Sequence, residues 1–223
     1  LKLDHIIRLT DDVGILQHAK FIIPNRNHGY CTDDNARALF AVLMARDFGV
    51  DSKTVSNLAC TYISFLYHAF NKEIGRFRNF MRFDRNWIEP QGSEDSHGRA
   101  VWSLGTVIGR SASPRLRAVA LRLFEAAMPA TLDLVSPRAW AFTILGLSEY
   151  LKRFAGDRAA EGAMRNLAGR LMELYRQVSA PDWVWLEDIV AYSNARIPHA
   201  LLVAGQWTGD DEMIDVGLRS LRW

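Results

Sequence analysis

A helical period in hydrophobicity recurs along almost the whole chain, and this feature most constrains what the chain can fold into. Apolar residues return every three to four positions, as they do on the buried face of an amphipathic helix. The pattern predicts helices over residues 11–23, 33–48, 52–70, 97–110, 115–127, 137–154, 158–178, 194–207 and 210–222. We therefore predict an all-α fold.

Helix-capping residues and glycines separate these segments. Asp51 precedes one predicted helix, and Ser136 with Pro137 opens another, as is common at helix N-termini. Gly49 and Gly209 follow the ends of two others, where glycine readily adopts the left-handed conformation that stops a helix. This pattern of helices joined by tight turns predicts αα-hairpins.

Four of the helix starts share a pattern in which an arginine lies in the first turn. These arginines are Arg37, Arg99, Arg138 and Arg196. The intervals between them are long enough for one helix out and one helix back, so the pattern indicates a superhelix of repeated hairpins. The arginine-bearing helices are the more apolar members of each pair. We therefore predict that they form an inner layer, run in the same direction and begin at one rim.

Two long connections lead into this rim. In the first, the apolar residues partly alternate and Asp84, Arg85 and Asn86 favour a turn, so we predict a short β-hairpin near residues 76–88. The second connection covers residues 179–188 and places two tryptophans before two acidic residues. Both connections are expected to contribute side chains to the rim.

Composition excludes several classes of protein. Of the 223 residues, 49% are hydrophobic and 23% are charged, with a formal net charge of +2, which excludes a disordered chain and a basic nucleic-acid-binding arm. No apolar stretch is long enough to span a bilayer. The two cysteines, Cys31 and Cys60, fall in predicted helices and do not imply a disulfide. We expect one domain spanning residues 1–223, part of a larger protein, in the cytoplasm.

Acidic residues cluster where three of the four inner helices begin, so we expect them to meet at one mouth. Cleavage of a glycosidic bond needs one carboxylic acid to protonate the leaving oxygen and one carboxylate to activate water or to attack. We therefore predict Asp34 and Asp95 as the catalytic pair, with Glu187 as a further candidate. Asp33 is interpreted mainly as a helix cap, because aspartate is favoured at that position.

The other polar and aromatic residues of the rim suit sugar binding, because guanidinium groups hold anions and hydroxyls and flat rings cover sugar faces. The predicted substrate-binding residues are Arg37, Arg99, Arg138, Arg196, His97, Tyr192, Trp87, Trp185 and Tyr30. Alternatively, each arginine pairs with a nearby acid and ties the repeats together. Arg138 lacks an acidic pair in its own preceding loop, so we predict that it contacts an acid from a neighbouring repeat or a ligand.

No motif for a metal or a cofactor is found in the chain. The histidines form no short ligand pattern, and there is no glycine-rich phosphate loop and no nucleophile elbow. We therefore expect neither a bound metal nor a cofactor.

Three runs at the starts of inner helices carry a resemblance to a known family. They are GYCTDDNARA at 29–38, GSEDSHGRAVW at 92–102, and WLED at 185–188 with YSNARIP at 192–198. These runs resemble the helical domain that accompanies some bacterial group 1 glycosyltransferases, which is similar to the six-hairpin glycosidase-like superfamily. The resemblance implies an (α/α)6-type toroid around a carbohydrate cleft, here incomplete with four to five hairpins.

The same resemblance implies a function. In the unsaturated-glucuronyl hydrolases of that superfamily, acidic residues at inner-helix starts transfer the proton, and Asp34 and Asp95 match that placement. We therefore expect a glycoside hydrolase-like domain that acts on an oligosaccharide. One alternative is a non-catalytic carbohydrate-binding or scaffolding domain that serves a glycosyltransferase module in the same parent protein. A second is a sugar epimerase, which would use histidines as proton carriers.

Overall fold

Helical hairpins account for most of the architecture. The computed structural model describes all 223 residues. Its helices are α1 (Asp4–Leu9), α2 (Thr32–Ala45), α3 (Ser52–Ala69), α4 (Glu94–Arg110), α5 (Pro114–Ala127), α6 (Pro137–Leu151), α7 (Arg158–Val178), α8 (Arg196–Thr208) and α9 (Asp211–Arg222). The predicted all-α class is confirmed.

Short strands occupy the connections. They are β1 (Ala19–Lys20), β2 (Ile23–Pro24), β3 (Tyr30–Cys31), β4 (Phe70–Asn71), β5 (Arg76–Phe77) and β6 (Phe80–Met81). They form three antiparallel pairs, β1–β2, β3–β6 and β4–β5. Met81 also bridges Trp87 across a turn in which Arg85 has a positive φ of 69°. The predicted β-hairpin near residues 76–88 is thus present, although β6 also pairs with β3.

Two layers of helices form the body of the molecule. Helices α2, α4, α6 and α8 pack side by side in that order, and α3, α5, α7 and α9 each pack against the inner helix that precedes them. The central helices α4 and α6 are buried over almost their whole length, as expected for helices covered on all sides. The predicted division into inner and outer helices is confirmed.

The inner helices begin at one end of the molecule. Asp33 of α2 pairs with Arg99 of α4, and Arg99 also donates a hydrogen bond to Ser193, just before α8. Glu94 of α4 accepts a hydrogen bond from the backbone N–H of Ser136, just before α6. These contacts join the starts of all four inner helices, so sequence segments far apart in the chain share one rim.

Helices α4 and α6 approach each other closely because glycines face the contact. A Cβ atom at Gly105 would overlap with the carbonyl oxygen of Gly146, and Cβ atoms at Gly98 and Gly109 would lie 2.8 Å and 2.5 Å from carbonyl oxygens of α6. The backbones therefore leave no space for a side chain at these positions. This close packing sets the spacing of the rim residues on α4 and α6.

We expect Gly105→Ala to lower the free energy of unfolding by about 1–3 kcal/mol, because the added methyl group meets rigid backbone. Gly169→Ala on the exposed face of α7 is the matched control, since a Cβ there meets nothing within 4 Å. That variant is expected to gain up to about 1 kcal/mol from helix propensity. Urea denaturation measures both, and a Gly105→Ala protein as stable as the wild type would contradict the packing argument.

The predicted helix over residues 11–23 is wrong. Helix α1 ends at Leu9, and the following segment forms turns and the β1–β2 pair. The Asp11 carboxylate accepts hydrogen bonds from the N–H groups of Val13 and Gly14, a local turn that competes with helix formation. Strand β3 also takes up Cys31, which was predicted to be helical, and both cysteines are free thiols. No helix combines the length and apolarity needed to cross a bilayer.

Candidate active site

The first turns of α2 and α4 bring three aspartates and two arginines together. Arg99 Nε lies 2.8 Å from Asp33 Oδ1, and Arg37 lies 3.7 Å from the same oxygen and pairs with Asp34. Asp95 is close enough to Asp33 to raise its pKa. The rim therefore holds a compact cluster of alternating charges on neighbouring inner helices.

Asp33 differs electrostatically from the other acids of the cluster. Burial raises the pKa of the Asp33 carboxyl, and this effect outweighs the opposing attraction of Arg99 and Arg37. Asp95 is half-buried, and its Oδ1 accepts a hydrogen bond of 2.6 Å from Ser136 Oγ. The cluster thus contains one carboxyl that favours its protonated form more than usual and a second that accepts a hydrogen bond from a hydroxyl group.

Asp34, predicted as a catalytic residue, has two protein partners. Its Oδ2 accepts a hydrogen bond of 3.0 Å from the Cys31 thiol, and its Oδ1 pairs with Arg37. Burial, followed by the charge of Asp34, raises the pKa of the Cys31 thiol well above its usual value. The thiol therefore stays protonated and caps α2. Asp33, which the sequence indicated mainly as a cap, pairs with Arg99 of the neighbouring helix, and the charge of Asp95 contributes to its raised pKa.

Arg138 and Glu187 form the most buried ion pair of the rim. Arg138 Nη1 lies 2.6 Å from Glu187 Oε1, and the side chains are only 7% and 14% exposed. The same guanidinium donates hydrogen bonds to the carbonyl oxygen of Tyr192 and to Asn194 Oδ1. Arg138 thus contacts an acid from the neighbouring repeat, as predicted. It fastens the connection before α8 to the start of α6.

A groove runs along the inner layer from this rim toward the C-terminal ends of the inner helices. It consists of two adjoining depressions of about 210 Å³ and 280 Å³, which share Phe40, Trp102 and Arg196. The first is also lined by Arg37, Arg99 and Ser193, and the second by Arg110, Glu149, Lys152, His199, Gln206 and Trp207. Residues of α2, α4 and the start of α8 line the first depression together. The size and mixed lining are typical of a small-molecule site.

Arg196 and His199 lie together in the groove. The Arg196 guanidinium stacks over the Trp102 ring at 4.8 Å, and its Nη1 lies 3.4 Å from His199 Nδ1. Burial, followed by the charge of Arg196, lowers the pKa of His199. The imidazole is therefore neutral near pH 7. Sequence analysis missed His199, although its position three residues after Arg196 places both on one helix face.

Six of the predicted substrate-binding residues lie outside the groove lining: Arg138 and Tyr192 at the rim, and four in packing positions elsewhere. The Tyr30 ring is buried, and its hydroxyl donates a hydrogen bond to Asp11. Trp87 packs against Phe65 and His68 of α3. Trp185 is 4% exposed and stacks on Trp223. These rings fill gaps between the connections and the helices. Aromatic side chains serve such packing as well as sugar binding.

His97 is the fourth residue in a packing position. Its ring is fully buried, its Nε2 lies 3.1 Å from the carbonyl oxygen of Ala127, and Phe77 packs against it. Helix α4 turns this side chain toward α5, away from the groove that borders Arg99. The prediction that His97 contacts substrate is therefore corrected. Tyr192, by contrast, is 53% exposed and lies over Arg138 at the rim.

The burial of His97 makes stability dependent on pH. Burial lowers the pKa of His97 to about 3, below its usual value of about 6.5. Between these values the unfolded chain binds a proton that the folded chain excludes, so stability falls as the pH falls. Lowering the pH from 7 to 5 should therefore decrease the free energy of unfolding of the wild type by about 1–2 kcal/mol more than that of His97→Gln. Urea denaturation of wild type and variant at both pH values checks this, and identical losses would contradict it.

Neither of the other large cavities gathers a comparable set of groups. A cavity of about 510 Å³ lies at the opposite end of the inner layer, between the starts of α3 and α5, and is lined by serines, apolar residues, Arg46, Arg110 and Asp47. A second, between α5 and α7, is mainly apolar. No three His, Cys, Asp or Glu side chains converge as metal ligands would. The rim and its adjoining groove are therefore the best candidate for a functional site.

Comparisons with known proteins address the fold. No family model matches the chain, and no curated protein matches it significantly. Among solved structures, the crystal structure of a sugar epimerase from a ruminal bacterium superimposes with a TM-score of 0.74 at 15% sequence identity. The match covers 97% of this chain and 67% of that chain. This chain therefore shares its fold with the corresponding two thirds of the epimerase.

Proposed function

We propose that this chain is a sugar-processing domain that binds a saccharide in the groove and carries out acid–base chemistry at the adjoining rim. The observation that carries the proposal is the cluster at the first turns of α2 and α4, where Asp33 pairs with Arg99 and Arg37 and is affected by the charge of Asp95. Cleavage of a glycosidic bond requires one carboxyl group as proton donor and a second as base or nucleophile.

Each carboxyl group has a distinct role in this proposal. Asp33 is protonated more readily than a solvent-exposed aspartate and donates a proton to the leaving oxygen. Asp95, whose Oδ1 accepts a hydrogen bond from Ser136 Oγ, activates water or attacks the sugar carbon. Arg99, stacked on Phe142 at 4.2 Å, positions Asp33 through their ion pair.

The groove supplies the binding surface. Phe40 is half-buried, packs against Trp102 with the ring centroids 4.7 Å apart, and offers ring surface to a sugar face. Arg37, Ser193 and Tyr192 border the same depression or its rim and offer groups that bind hydroxyls. The proposed ligand is an oligosaccharide, and the proposed partner is a glycosyltransferase module in the same parent protein.

A sugar epimerase is the second candidate, and His199 together with the shared fold favours it. Epimerisation beside a carbonyl group removes a proton from carbon and returns it on the other face, a step for which histidine is a common carrier. His199 is a neutral imidazole in the groove, three residues from Arg196. However, Arg196 occupies Nδ1, so Nε2 carries the hydrogen and acts first as a donor.

Incubation with a panel of oligosaccharides and reducing sugars in D₂O separates the candidates. Hydrolysis yields new reducing ends, seen by chromatography, with no deuterium on carbon. Epimerisation yields an isomer of unchanged length, with deuterium at the carbon next to the carbonyl, seen by NMR. Binding by calorimetry without either product would indicate the non-catalytic domain, and the absence of binding and turnover would overturn the proposal.

A further inference from the structure

The second depression of the groove contains more positive than negative charge. Arg110 and Lys152 lie 2.9 Å and 2.7 Å from the same Glu149 oxygen. Although burial alone would raise it, hydrogen bonds from both cations lower the pKa of Glu149, so one carboxylate faces two cations. Asp47 acts on Arg110 only at longer range.

Arg196 adds a positive charge without a carboxylate partner. The other three arginines of the series pair with acids, Arg37 with Asp34, Arg99 with Asp33 and Arg138 with Glu187. Arg196 forms no ion pair, and no acidic residue lies in the first turn of α8. It is half-buried between the two depressions. A partly desolvated guanidinium without a counter-charge favours an anion.

The surroundings of Arg196 also fit an oxyanion geometrically. The Arg196 guanidinium lies over the Trp102 ring and lines both depressions, so its N–H groups border the groove. Since Arg196 donates toward His199 Nδ1, the imidazole carries its hydrogen on Nε2, which has no hydrogen-bond partner within the protein. Lys152 lines the same depression. The N–H groups of Arg196 and His199 thus lie together and cannot accept a hydrogen bond there, while Lys152, bonded to Glu149, adds positive charge to the same depression.

We propose that the saccharide carries an anionic group, a carboxylate or a phosphate ester, which Arg196 binds with support from His199 and Lys152. This inference rests on the proposed function because it names the class of sugar. Charge-assisted, two-pronged hydrogen bonds of this kind distinguish an anionic sugar from its neutral counterpart. The carboxylate and the phosphate ester share this chemistry, so ligands of both kinds are needed in the test.

Isothermal calorimetry with matched ligands tests the inference. The probes are a disaccharide with one uronate unit, its counterpart with the carboxylate reduced to a hydroxymethyl group, and a hexose phosphate with its parent hexose. We expect one of the anionic ligands to bind wild-type protein at least about tenfold more tightly than its neutral match. Added salt is expected to reduce the difference.

Arg196→Gln is expected to lower the affinity for the anionic ligand about tenfold and to change the affinity for the neutral ligand by less than about twofold. Arg165→Gln on the exposed face of α7 is the matched control, with no expected change. Lys152→Gln, on a different helix, provides a second variant should Arg196→Gln fail to fold, and is expected to weaken the anionic ligand selectively by a smaller factor.

Equal wild-type affinity for the anionic and neutral members of both pairs would overturn the inference and leave sugar binding intact. A preference that persists unchanged in both variants would overturn the assignment to Arg196. If none of the ligands bound, both the inference and the proposed function would fail.

Discussion

Asp33→Asn is expected to lower kcat by about 100- to 10,000-fold, and Asp95→Asn by a similar factor, because each change removes a proton donor or acceptor. KM is expected to change far less, since neither group is proposed to contribute mainly to ground-state binding. The measurement is steady-state kinetics on whichever saccharide the panel identifies, with thermal unfolding to verify that each variant is folded.

Asp34→Asn is the informative comparison, because Asp34 and Asp33 are adjacent in sequence but differ in their partners. Asp34 is bound by Arg37 and the Cys31 thiol, so we expect a loss in kcat of less than about tenfold. A large loss in Asp34→Asn with an active Asp33→Asn would restore the assignment made from sequence. Full activity in both Asp33→Asn and Asp95→Asn would refute the proposed acid–base pair.

The pH dependence of kcat/KM offers a second readout. If Asp33 acts as the general acid, the rate falls as the pH rises through its pKa, which burial displaces upward. Arg99→Lys keeps the positive charge but loses the planar fork, so it should shift this limb of the profile. A profile unaffected by Arg99→Lys would argue against Arg99 as the residue that positions Asp33.

Glu187→Ala is expected to lower the free energy of unfolding by about 3–5 kcal/mol. The substitution leaves the buried Arg138 guanidinium without its carboxylate, and removing one partner of a buried pair is costly. Arg138 keeps the Tyr192 carbonyl and Asn194 as partners, so the lower end of the range is expected. Urea denaturation measures the effect.

Glu212→Ala provides a control for Glu187→Ala at the molecular surface. Glu212 and Arg176 form an ion pair of 3.0 Å whose side chains are 59% and 54% exposed. Exposed pairs contribute about 1 kcal/mol or less, because water and salt screen them. Equal losses in the two variants would show that the connection before α8 is held by other contacts and that Arg138 does not fasten it.

Local chemistry explains why most of the fold could be predicted from sequence. Hydrophobic periodicity and capping residues act within a few positions of one another, so α3, α5, α7 and α9 begin close to their predicted starts. The exception, residues 11–23, shows the limit of this reasoning. There an apolar pattern was overruled by the Asp11 turn and by pairing between strands.

The candidate site, like the fold, could be predicted from the sequence only in part. The repeated first-turn arginines located the rim, because each belongs to a short pattern at a helix start. Which acid meets which arginine depended on the rotation of each helix, and this favoured Asp33 over Asp34. Rotation also turned His97 into the core while His199 came to face the groove.

The sequence by itself determined the helical class, the inner and outer layers and the shared rim, because these follow from periodicity and charge within single helices. Only the tertiary structure decided the pairings Asp33–Arg99 and Glu187–Arg138 and the unpaired state of Arg196. The physical reason is that ion pairing and burial depend on atoms brought together from positions about 50 or more residues apart.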